Sequence, residues 1–98
     1  MADVKNGLFV RLEAAAGQAD ALAEFLTNAQ QLVAQEPGTV VWYAIRFDET
    51  TFGIFDAFAD EDGREAHLNG AVAAGLAEHP ELFAAPPAIE KVDVLASK

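Results

Sequence analysis

The sequence predicts an α+β domain in the order β-α-β-β-α-β, with a four-stranded antiparallel sheet and two helices on one of its faces. Three observations predict it. Stretches with the alternation or β-branched and aromatic content of strands occur four times. Two longer stretches have the helical period and lie between strands. A short polar turn joins the two middle strands directly, as in a hairpin. The 98 residues fit one domain spanning 1–98.

Each element has its own justification. In GLFVRLEAA (7–15), Leu8, Val10 and Leu12 fall on one side and Phe9 and Arg11 on the other, the period of a strand. GQADALAEFLTNAQQLVAQEPG (17–38) places Leu22, Leu26, Ala29 and Val33 in one helical stripe, with Phe25 and Leu32 beside it. Asp20 and Glu24 come early, where the helix dipole favours acids, and Pro37-Gly38 stops the helix. TVVWYAIRF (39–47) is β-branched and aromatic, so it is a strand. DETT (48–51) turns, and FGIFDAFA (52–59) returns. With Glu49-Thr50 as the tip, Tyr43 pairs with Asp56 and Trp42 with Ala57. DEDGREAHLNG (60–70) begins a helix capped by Asp60 or Asp62, the latter with Glu65 in capping-box position. Gly70 interrupts it, AVAAGLAEHP (71–80) resumes it as far as Pro80, and AIEKVDVLA (88–96) is the last strand. This order is the split βαβ, or ferredoxin-like, arrangement.

Composition narrows the function. Sixteen acids against six bases give a net charge of −10, which repels phosphate backbones, so nucleic acid is not an expected partner. No apolar run reaches the roughly 18 residues of a membrane span. The opening MADVKNGLFV lacks the apolar stretch and cleavage site of a secretory leader. Absent cysteines exclude disulfides and thiolate chemistry and fit a cytoplasmic protein. No metal-ligand spacing, phosphate loop or nucleophile elbow occurs, so neither metal nor organic cofactor is expected.

Both faces of the central hairpin are apolar. Val41, Tyr43, Ile45 and Phe47 point one way, and Val40, Trp42 and Ala44 the other. On the returning strand Phe52, Ile54 and Phe58 oppose Phe55, Ala57 and Ala59. Helices cover one face only, so the other face calls for a second copy packed sheet on sheet. A homodimer also absorbs the 52% hydrophobic content.

Asp56 is a carboxylate among apolar strand residues and needs a donor. His67, on the following helix, can be laid back over that strand, and Tyr43 is another candidate donor. A lone helix histidine is more often a surface residue or a satisfied core residue. Trp42 and Tyr43 are more often core or interface filler than ligand contacts. Arg46 facing solvent or a partner's acid, and His79 as a helix C-terminal cap, have ordinary structural readings.

The run EPGTVVWYAIRFDETTFGIFDAFADEDGREAHLNGAVAAGL resembles the antibiotic biosynthesis monooxygenase (ABM) domain family of the dimeric α/β-barrel superfamily. Pro37-Gly38 matches the family's Pro-Gly after the first helix, and Trp42 fills its second-strand aromatic position. Asp56 and Phe58 stand in place of the family's Glu-x-Trp, and His67 in place of its helix histidine. The departures are an acid one methylene shorter and a Phe without the indole N–H. The resemblance implies a dimeric α/β barrel and a pocket bordered by His67 and Asp56, with Trp42, Tyr43 and Phe58 lining it for a small apolar aromatic ligand. It implies cofactor-independent oxygenation of a phenolic or polyketide-like ring by O₂. His67 would serve as base or proton shuttle, and Asp56 would set its tautomer. A small-molecule isomerase using the same pair, and a non-catalytic dimeric ligand-binding module, are the alternatives.

Overall fold

The computed structural model describes residues 4–98; the first three residues of the stretch read for a secretory leader lie outside them. The chain runs β1 (Asn6–Glu13), α1 (Ala19–Val33), β2 (Thr39–Arg46), β3 (Thr51–Phe58), α2 (Glu61–Leu68), α3 (Ala71–Glu78), a 3₁₀ turn (Pro80–Leu82) and β4 (Ala88–Asp93). The strands form an antiparallel sheet in the order β2-β3-β1-β4, the ferredoxin-like topology.

Helix α1 is shorter than its pattern. After Val33 the chain turns through Ala34, Gln35 and Glu36 before Pro37, with the Glu36 N–H donating to Val33 O at 2.9 Å. Its stripe of Leu22, Leu26, Ala29 and Val33 is buried, as the period requires. These residues meet Val10, Leu12, Phe52 and Ile54 from the sheet and Val72 and Leu76 from α3. Helix α2 is capped by Asp60, whose Oδ1 accepts from Gly63 N–H at 2.8 Å. Asp62 therefore lies inside the first turn and is not the cap.

The hairpin differs from the expected two-residue tip. Phe47 N–H donates to Thr51 O at 2.8 Å, so Asp48, Glu49 and Thr50 all belong to the loop. The cause is Asp48, whose Oδ1 accepts from Thr50 N–H at 2.9 Å and Thr51 N–H at 2.8 Å. A shift of one residue exchanges cross-strand neighbours. Trp42, not Tyr43, stands opposite Asp56, and Tyr43 stands opposite Phe55. Arg46 bonds the loop carbonyls of Asp48 and Glu49 and lies over the Phe52 ring.

The sheet face away from the helices carries Phe9, Phe55, Tyr43, Ile45 and Phe47. Tyr43 is 60% exposed, Phe47 51% and Ile45 40%. Gly53 makes room there, since a Cβ on it would meet the Phe47 ring at 3.1 Å and the Phe9 ring at 3.4 Å.

Candidate functional site

On the helix side of the sheet, Asp56 lies in one cross-strand row with Leu8 and Trp42. Ile54 and Phe58 flank it along β3 and are buried. Its side chain is only 1% exposed. A carboxylate so placed needs a charged or hydrogen-bonding partner to offset its lost hydration. His67 supplies it from α2: Nε2 lies 2.9 Å from Asp56 Oδ2. The contact is an ion pair more than a linear hydrogen bond. Among the described residues neither Asp56 oxygen receives a well-directed donor, and the nearby Trp42 Nε1–H is likewise buried and unmatched.

The other face of the imidazole holds a residue that the sequence reading assigned no role. Glu36 Oε1 lies 2.6 Å from His67 Nδ1 and also accepts from Thr39 Oγ1 at 2.7 Å. One signal pointed to it. An acid just beyond the C-terminal end of α1 sits where the helix dipole disfavours negative charge, so it needs a local cation. The turn carrying Glu36 is pressed onto α2 by glycine. A Cβ on Gly63 would stand 2.8 Å from Gly38 O, and one on Gly38 would stand 2.9 Å from Gly63 Cα. That backbone contact brings residues 36 and 67 together.

His67 is thus buried with a carboxylate at each ring nitrogen. Burial by itself pushes its proton affinity down. The close polar contacts and negative charges of Asp56 and Glu36 outweigh that, so its pKa is raised above the ordinary 6.5. His67 also lies in the last turn of α2, where the dipole favours a cation. The Phe58 ring packs on the imidazole, with centroids 5.4 Å apart. Of the residues singled out in the sequence, Asp56, His67, Trp42 and Phe58 share the helix-side face of the sheet. Tyr43 stands on the opposite face, because of the hairpin register.

The site opens on two spaces. The inner one, between sheet and helices, is lined by Asp56, His67, Leu8, Val72 and Ile89 and measures about 20 Å³, room for about one water. The outer one is a groove of about 360 Å³ between the 35–39 turn and the helices α2 and α3, with Glu36 and His67 in its lining. Among the described residues no three histidine, cysteine or acid side chains converge as a metal-binding set. Neighbouring Arg64 is buried but structural, donating to Gly7 O and Val92 O and pairing with Glu61.

No family profile matches the sequence, and no curated protein matches it. Solved structures do. A Nitrosomonas europaea protein of unknown function, NE2512, is 54% identical, with 100% of this chain and 96% of that one covered and a TM-score of 0.97. A "putative antibiotic biosynthesis monooxygenase" from Caulobacter crescentus is 27% identical over 97% and 93% of the two chains, with a TM-score of 0.71. Another protein so described, from Nitrosomonas europaea, is 17% identical over 93% and 90%, with a TM-score of 0.81. The chain belongs to the family of NE2512, and its fold is that of the ABM domains, in keeping with its motif resemblance.

Proposed function

We propose that the protein is a cofactor-independent monooxygenase of small phenolic or polyketide-like rings, working as a homodimer packed through the open sheet face. The observation that carries this reading is the buried imidazole held between two carboxylates beside a groove of about 360 Å³. Such a cluster accepts a phenolic proton, and the resulting phenolate is electron-rich enough to pass an electron to O₂. A phenol with a free ring C–H and one O₂ then give a quinone and one water, the substrate supplying every electron. The raised proton affinity of His67 favours a shuttle role over that of lone base. Its proton moves between Asp56 and Glu36, and Asp56 orients the ring.

The test is oxygen uptake by the purified protein across a panel of small phenols and hydroquinones. His67→Gln keeps a donor for one carboxylate but cannot relay a proton. Turnover should fall about 10²–10⁴-fold, the usual loss for a general acid–base group. Unchanged turnover in that variant refutes the role. Proton exchange in a ketone substrate without oxygen uptake marks an isomerase instead.

A second reading has its own support. The space next to Asp56 is only about 20 Å³, filled in by side chains, as in a module that binds ligands without reacting. Saturable binding of a phenol with no turnover under air favours that reading.

A further inference from the structure

We infer that the groove between the 35–39 turn and the helices α2 and α3 is the binding site for the phenolic ring, with Glu36 as the group that receives its hydroxyl proton. This inference rests on the acid–base reading above and assigns its substrate to the outer side of His67. The inner cavity, about 20 Å³, cannot admit a ring, whereas the groove, about 360 Å³, can. Its walls offer apolar surface from Leu32, Pro37, Ala66 and Ala71.

One oxygen of Glu36, a residue of the groove lining, is unclaimed and lies beside Gly70 of the same lining. Glu36 Oε1 is occupied by His67 and Thr39, while among the described residues no donor is bonded to Oε2. The side chain is 23% exposed, against 1% for Asp56, so Glu36 is the acid that an incoming molecule meets. The cluster has the right charge for one more proton. Two carboxylates flank one imidazolium, leaving one negative charge in excess. A hydroxyl donating to Oε2 delivers its proton there, and the cluster becomes neutral. From Glu36 the proton can move on through His67 toward Asp56, the relay proposed above. The ligand class is therefore a small flat ring bearing a hydroxyl donor.

The test uses 4-nitrophenol and the full chain, followed by amide NMR. The largest shifts should fall on Gly38, Gly63, Gly70 and Ala71. Shifts concentrated on Leu8, Ala73 and Ile89, which line the inner cavity, overturn the inference, and so does an absence of binding. Glu36→Gln keeps an acceptor for His67 and Thr39 but loses the charge, so the probe should bind about 10- to 100-fold more weakly. Ala66→Leu, at an exposed helix position in the groove wall, should abolish binding with the fold intact. Oxygen uptake that survives both substitutions refutes the groove while oxygenation stands. Groove binding that weakens as expected, with no oxygen uptake at all, refutes oxygenation while the groove stands.

Discussion

Replacing His67 by alanine tests the buried network most directly. A helix tolerates alanine well, and by sequence alone His67→Ala would leave the fold intact. The structure predicts otherwise. Asp56 is 1% exposed and His67 is its charged partner, so the variant strands a carboxylate in the core. Breaking a buried pair from one side costs about 3–5 kcal/mol. Acid relieves the cost, because a neutral carboxyl is far cheaper to bury than a carboxylate. At neutral pH the loss is therefore about 4 kcal/mol. With a urea slope of roughly 2 kcal/mol per molar, the midpoint should fall by about 2 M. Urea titrations of wild type and His67→Ala at pH 7, 5 and 4 measure this, and the gap should close as pH falls. A gap below about 0.5 M at pH 7, or one that ignores pH, refutes the claim that His67 neutralises a buried charge.

Further outcomes follow from other features. His67 binds its proton more tightly in the folded chain, facing Asp56 from β3 and Glu36 from the 34–36 turn. Its stabilisation is complete below the unfolded value of about 6.5 and is lost as pH rises through the higher folded value. Thermal melts of wild type should drop across that alkaline window, and His67→Gln should flatten the drop. Gly63→Ala drives a Cβ against Gly38 O at 2.8 Å, so it should cost about 1–3 kcal/mol in chemical denaturation and loosen the Glu36–His67 contact. Sedimentation should give about twice the 10.4 kDa chain mass, and Ile45→Lys on the open face should give a folded species of single mass. A wild-type monomer at micromolar concentration refutes the sheet-to-sheet dimer.

The fold was legible because its signals are local. Leu8, Val10 and Leu12 alternate, the α1 stripe repeats at the helical period, and Pro37, Gly70 and Pro80 punctuate helices. The Asp56–His67 contact was legible for a different reason. A carboxylate between Phe55 and Ala57 advertises its own need for a partner, and α2 follows β3 closely enough to supply one. Glu36 escaped because its partner lies 31 residues away and is set by a backbone contact between Gly38 and Gly63, which no pattern encodes. The faces of Trp42 and Tyr43 relative to Asp56 escaped because they turn on a single loop residue. Asp48 captures two backbone N–H groups with its side chain and moves the pairing by one.

That same pairing gives the interior carboxylate a second consequence, in how the chain chooses one structure over its near misses. Strands β2 and β3 are apolar on both sides, so hydrophobic burial alone discriminates poorly between correct pairing and a slip by one residue. Asp56 removes the degeneracy. In the native pairing it meets His67. If β3 slips by one against β1, Asp56 turns to the open face, and the Nε2 side of His67 meets an apolar side chain instead. Each misplaced arrangement forfeits the ion pair and buries or strands a charge. The network therefore acts as a proofreader of strand register, making mispaired sheets expensive in a chain whose apolar surfaces would otherwise accept them.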